Sequence, residues 1–205
     1  MTFETYPKTW IIAVLITLSV TLTAASCKSS GGGGVFGPAD DTQEAVKLVD
    51  AANEDLTKIK VLYDENEGKR QELKSAMEKN DAATAKKIAD DVVYLINDGA
   101  SSGNDAVDKI QKAQEMNIND DYREYLRLKE ESLKLQLEAF EQYRMAARTL
   151  RDNYDPKNDV LREKVKEEFK SRSDNYRTLM EKARDYSSRA NELYKAVLRK
   201  QTAAN

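Results

Sequence analysis

The chain has 205 residues, 34% of them charged and 40% apolar, with 33 basic side chains against 36 acidic ones and a formal net charge of −3. Only eight glycines and three prolines, in a background rich in Ala, Glu, Lys, Leu and Arg, favour long helices over strands and turns. With no histidine and a single cysteine, the composition excludes Ser-His-Asp and Cys-His catalysis, histidine-bound zinc, Glu-x-x-His di-iron sites and any disulfide framework.

The first element is an uncharged apolar run from Trp10 to Ala25. At about 16 residues it is shorter than the roughly 20 that a membrane-spanning helix needs. It closes in Ala24-Ala25-Ser26 directly before Cys27, the single cysteine, and no positive stop-transfer cluster follows. This segment resembles a bacterial lipoprotein signal peptide, in which a lipobox of small residues precedes an invariant cysteine. The resemblance implies that residues 1–26 are a signal peptide removed on maturation and that Cys27 is the lipidation site. Cys27 would be diacylated, palmitate among the chains, and would anchor the mature protein to a membrane of the cell envelope. Two features depart from the family pattern. Ala24 stands where leucine is usual, and Glu4 offsets Lys8 in the leader's start. In Gram-negative members an aspartate after the cysteine goes with inner-membrane retention. Lys28 therefore points to the outer membrane, with the protein facing the periplasm or exterior. The same residues also admit an uncleaved N-terminal anchor, or a secretory signal with an incidental cysteine.

Residues 27–40 read as the lipidated cysteine and a flexible linker. Ser29, Ser30 and Gly31 to Gly34 are followed by Gly37-Pro38, a composition with an r.m.s. reach of about 20 Å. From residue 41 to 205 the apolar pattern is helical. Asp41 with Glu44 reads as a capping box. A first seam then runs Ala45, Val49, Ala52, Leu56, Ile59, Tyr63, Leu73 and Met77, at the 3-4 spacing of a heptad. Asn80-Asp81 breaks it and offers a new cap. A second seam runs Ala85, Ile88, Val92, Ile96, Gly99, Gly103, Ala106, Ile110 and Ala113, and the chain breaks again at Asn117 to Asp120. A third runs Tyr122, Leu126, Leu133, Leu137, Phe140, Tyr143, Ala147, Leu150 and Tyr154. Asp155-Pro156 ends it, with the proline placed to open the next helix. The fourth runs Leu161, Val165, Phe169, Tyr176, Leu179, Ala183, Tyr186, Ala190, Leu193 and Val197.

Four long helices joined by short turns must lie antiparallel to their neighbours. The predicted fold is all-α: an up-down-up-down four-helix bundle of long coiled-coil-like helices, preceded by the signal peptide and Gly/Ser linker. A three-helix bundle, or an extended coiled coil that pairs one seam with a second chain, is the alternative. Within the second helix, Asn97-Asp98-Gly99 could be a stop and Ser102 with Asp105 a fresh cap. The seam keeps its phase through Gly99, Gly103 and Ala106, which favours one continuous helix. Two glycines four apart on a seam call for a large side chain above them. Registry nominates Tyr176, and Gly103→Ala would be nearly neutral or stabilising if the helix is continuous and has room for a methyl.

Chemistry-bearing motifs are few. The many carboxylates sit at positions that solvate helix faces. Asn117, Asn119 and Asp121 have the spacing that opens a calcium loop. Tyr122 replaces its glycine and Leu128 its final glutamate, so the stretch reads as a capping turn. No metal or cofactor is expected, and no catalytic residue. Tyr63, Tyr122, Tyr143, Tyr154, Tyr176 and Tyr186 fall on seams, either as core rings with hydroxyls at the rim or as the lining of a ligand groove. Asn66, Arg70, Arg144, Glu168 and Arg172 intrude on the seams, and an Arg144–Glu168 pair would fix register.

Two functions fit these observations. One is a lipid-anchored cell-envelope interaction or spacer module without catalysis, bound to the membrane through Cys27 and to an unidentified protein partner. The other is a sensor or binder of a small apolar ligand that uses the tyrosine-lined interior, which would need an apolar cavity above roughly 300 Å³. Interleaved charge without a basic block argues against nucleic acid. The sequence leaves the oligomeric state open.

Overall fold

The computed structural model describes residues 41–204, so the proposed signal peptide, Cys27 and the linker lie outside the described residues. Four helices follow one another: α1 (Thr42–Glu78), α2 (Ala82–Gln114), α3 (Asp120–Asn153) and α4 (Asp159–Ala204). They form the antiparallel bundle that the seams predict. At 1.5 Å per residue α1 is about 55 Å long and α4 about 70 Å. No described helix is long and apolar enough to cross a membrane.

Every seam residue named above is buried or half-buried, which is why these helices pack where they do. The apolar side chains form two clusters. The one toward the α1–α2 turn gathers Leu73, Val92, Phe140, Tyr143, Leu150 and Val165 with their neighbours. The one toward the α2–α3 turn gathers Val49, Ile110, Tyr122, Leu126 and Ala190 with theirs. Leu56 and Leu137 pack against both clusters and mark the waist between them. Helix α1 packs closely on α2, and α3 on α4, with α2–α3 joining the two pairs, while α1 and α4 stand further apart. Helices α2 and α3 each have two close neighbours, and the buried face of α3 is wider than a two-position seam: Tyr125, Leu128, Lys129, Glu130 and Ser132 are enclosed as well.

The helix ends show how local chemistry sets the turns. After α1, Asn80 takes φ 53°, and the amides of Asn80 and Asp81 close on the carbonyls of Met77 (3.1 Å) and Ala76 (2.9 Å). This double closure is a Schellman motif, with asparagine at the left-handed position. The buried Tyr154 hydroxyl lies 3.2 Å from Asn80 Oδ1 and binds the α1–α2 turn to the start of the α3–α4 turn. Asn80→Ala should cost about 1–2 kcal/mol, because alanine lacks the short polar side chain whose local hydrogen bonding lets asparagine adopt the left-handed conformation. Asn80→Gly should lose only the tyrosine contact. Urea midpoints of the two variants check this order.

Asp81 caps α2 through the Thr84 amide (3.1 Å), and Asn119 caps α3 through the Tyr122 amide (2.7 Å), so the Asn117–Asp121 stretch is a capping turn. Two expected caps are corrected. Asp41 makes no cap bond to α1. Its carboxylate accepts from the Asn117 amide (3.0 Å), and its own amide donates to the Asn117 carbonyl (3.3 Å), so the start of α1 is tied to the α2–α3 turn instead. Pro156 does not open α4. It occupies the second position of a turn closed by the Asn158 amide on the Asp155 carbonyl (3.3 Å), and Asn158 caps the helix through the Leu161 amide (3.1 Å). Proline's fixed φ suits that turn position.

Candidate interaction surfaces

The two ends of the bundle differ in what they gather. The start of α1, the α2–α3 turn and the end of α4 share one end. The α1–α2 turn and the Asp155–Asn158 turn share the other. A hollow of about 390 Å³ opens there between Ala82, Lys86, Asp152, Tyr154, Pro156 and Leu161. Val160, beside it, is 82% exposed, an apolar side chain left at the tip.

The tyrosines are mainly structural. Tyr122, Tyr143 and Tyr154 are buried, while Tyr63, Tyr176 and Tyr186 pack half-buried against the core. Tyr63, Phe140, Tyr143, Phe169 and Tyr176 form a chain of rings with centroids 5.9–6.4 Å apart. These are the tilted and edge-on contacts of filled aromatic cores. The Arg70 guanidinium lies 5.3 Å from the Tyr143 centroid and 5.5 Å from that of Tyr176. It bridges the wide α1–α4 space as a cation over two π faces.

The expected Arg144–Glu168 pair does not form. Arg144 bonds Asn97 on α2 (2.7 Å) and Glu141 on its own helix (2.5 Å). Glu168 accepts from Thr149 (3.1 Å) and pairs with Arg172 (2.9 Å). The α3–α4 turn sets Glu168 level with Thr149, more than a helical turn from Arg144. The large residue over the glycines is also not Tyr176. Helix α2 runs unbroken through Gly99 and Gly103, as the seam phase predicts. Gly103 is covered by Leu137 of α3, and Leu62 of α1 stands 3.8 Å from where a Gly99 Cβ would lie. Tyr176 sits on α4, diagonal to α2, and only adjacent helices approach closely enough to fill a glycine gap.

Sequence reading missed a second set of residues, the enclosed charges. Asp55, its side chain 7% exposed, takes Lys109 from α2 and Lys58 from its own helix (3.0 Å). The Lys109 hydrogen bond holds the Asp55 carboxyl below its ordinary range against the opposing effect of burial. Burial would raise Glu130, but hydrogen bonds from Lys134, Gln114 and Gln111 outweigh it and hold that carboxyl low. Lys129 is 7% exposed and donates to Asn191 Oδ1 of α4 at 3.2 Å. Asp55 lies one position before Leu56 of the α1 seam, Glu130 fills the seam step between Leu126 and Leu133, and Lys129 lies beside it, so on α3 the readable signal was the gap in the apolar seam. Among the described residues no group of three or more His, Cys, Asp or Glu side chains is arranged to hold a metal ion.

Along the outer side of α1 and α2 an open groove of about 490 Å³ is lined by Lys58, Val61, Leu62, Asp98, Ser101 and Ser102. Two apolar side chains that break the polar pattern of this side, Val61 and Tyr94, are 54% and 73% exposed. The chain matches no protein-family model, no curated protein and no solved structure.

Proposed function

We propose that the protein is a lipid-anchored cell-envelope module, held to a membrane through diacylated Cys27, whose rigid helical bundle acts non-catalytically as a spacer and presents a binding surface to a protein partner. The observation that carries the anchor is the apolar run Trp10–Ala25 ending in Ala24-Ala25-Ser26-Cys27. The bundle supports the spacer role. Four long helices, tied at both ends by side-chain and backbone bonds, make a rod about 55 Å long. Interior aromatic rings in contact with one another favour a packed strut over a ligand chamber. With the linker at the start of α1, the end carrying Asn80 and Pro156 faces away from the membrane and is the first surface a partner meets. Lys28 favours the outer membrane of a Gram-negative envelope.

Radiolabelled palmitate should enter the wild-type protein and not Cys27→Ser, and that variant should move to the soluble fraction. Unlabelled wild type, or a Cys27→Ser protein still held in membranes, would overturn the anchor. Trp10 is the only tryptophan, so the processed protein should show no tryptophan emission.

A further inference from the structure

The groove along α1 and α2 has a definite chemistry. Val61 and Leu62 form one wall, while Ser101 and Ser102 leave the other shallow. Tyr94 lies one heptad before Ser101, on the same face of α2 and largely exposed. Aromatic side chains of this kind, ringed by polar residues, are the usual anchors of protein interfaces.

The rim is acidic. Between Lys87 and Lys109, α2 carries Asp90, Asp91, Asp98, Asp105 and Asp108 and no lysine or arginine. Asp90 and Asp91 are spoken for, by Arg151 (2.9 Å) and Lys69 (3.0 Å). Asp98, Asp105 and Asp108 are exposed and make no ion pair among the described residues. On the facing side of α1, Glu54, Asp64 and Glu65 are exposed too, against Lys58 and Lys60. Lys58 already answers Asp55. A second copy seated on this face would set acid against acid, so self-association is disfavoured here.

We propose that the α1–α2 groove is the docking site for a basic amphipathic helix of a partner protein. The groove runs lengthwise between two antiparallel helices, the geometry into which a third helix lays an apolar stripe. An apolar side chain of the partner covers Val61 and Leu62 and packs on Tyr94. Its arginines or lysines fall beside Asp98 and Asp105, where opposite charge steers encounter and fixes register. This deepens the reading of the bundle as an interaction module but does not depend on Cys27.

The test uses the full chain in nonionic detergent micelles and a fluorescein-labelled synthetic helix with leucine at i and i+4 and arginine on the flanks. Anisotropy should show saturable binding. Val61→Ser with Tyr94→Ser, and separately Asp98→Lys with Asp105→Lys, should each weaken it roughly tenfold or more. All four positions are at the surface, and circular dichroism should report unchanged folds. The charge reversals Glu163→Lys and Glu167→Lys, on exposed α4, should leave binding intact. Three results would overturn the proposal: groove variants that bind as wild type, α4 reversals that weaken binding equally, or a serine-for-leucine helix that binds as tightly. A concentration-dependent dimer lost in Val61→Ser would also overturn it, in favour of a second copy. The Cys27→Ser result is read separately, so the anchor and the groove stand or fall on different measurements.

Discussion

Gly103→Leu is expected to destabilise the bundle by about 1–3 kcal/mol, the range of a well-packed site forced to hold extra methylenes. A Cβ built on Gly103 would overlap Leu137 Cδ2 and lie 3.2 Å from its Cγ, tighter than ordinary van der Waals contact. Leu137 has little room to withdraw, because it packs against both core clusters at the waist. The same geometry separates two alanine variants. Gly99→Ala meets only Leu62 Cδ1 at 3.8 Å, an ordinary contact. It should gain up to about 1 kcal/mol from helix propensity. Gly103→Ala gains the same propensity but must displace Leu137, and it should end about 1 kcal/mol below wild type, once the packing loss is set against the gain. Urea unfolding of the three variants gives the order directly. Adding Leu137→Ala to Gly103→Leu should recover part of the loss, a coupling of about 1 kcal/mol or more between residues in contact. Strictly additive effects, or equal behaviour of the two alanine variants, would mean that Leu137 is not what fills the gap.

This site also shows where sequence reading succeeds and where it stops. The phase that carries Gly99 and Gly103 through to Ala106 is a property of α2 alone, and it correctly gives a continuous helix. Which residue covers the glycines depends on which helices are neighbours and on their register. Level alone points to Tyr176, but α4 lies diagonal to α2, and Leu137 on adjacent α3 takes the place. Arg144 and Glu168 fail for the same reason. Each sits near a seam, yet a register offset of about five residues sends Arg144 to Asn97 and Glu168 to Thr149. Caps divide along a similar line. The Asn80-Asp81 cap and the Asn117–Asp121 capping turn are read correctly because Asp81 and Asn119 each bond an amide three residues on. Asp41 is misread because a competing amide, that of Asn117, arrives from the α2–α3 turn, remote in sequence but at the same end of the bundle. The α1–α2 groove left a trace in the sequence, apolar Val61 and Tyr94 at positions where the pattern calls for polar residues. Its depth comes from small side chains on one helix facing larger ones on another, and only the assembled pair shows it.

Lys129→Met is expected to stabilise the bundle at pH 7. Lys129 is enclosed between α3 and α4, with Nζ 3.2 Å from Asn191 Oδ1 and 5.5 Å from the Tyr125 ring centroid. Among the described residues no carboxylate shares that contact, and burial pulls the ammonium down from 10.5 to about 8. The folded state therefore holds this proton less tightly than the unfolded chain does. Between pH 8 and 10.5 the unfolded state binds more protons, so stability rises with pH across that window. Below pH 8 the penalty is present in full. At about 1.4 kcal/mol per pH unit, a shift of this size corresponds to roughly 3 kcal/mol. Methionine keeps the length and apolar stem, removes the charge, and leaves exposed Asn191 to water. A gain of about 1–3 kcal/mol at pH 7 follows, since apolar replacements of buried charge commonly stabilise by that much. The wild-type rise between pH 8 and 10 should flatten in the variant. Above pH 10 the buried phenols of Tyr122 and Tyr125, both pushed well up by desolvation, lower the stability of both proteins. Their unfolded forms ionise first, and the unfolded state then binds fewer protons. Urea midpoints of wild type and Lys129→Met at pH 7, 8, 9 and 10 check the prediction. A variant that is less stable at pH 7, or that keeps the wild-type slope, would show that the Lys129 ammonium is solvated or paired in the folded bundle.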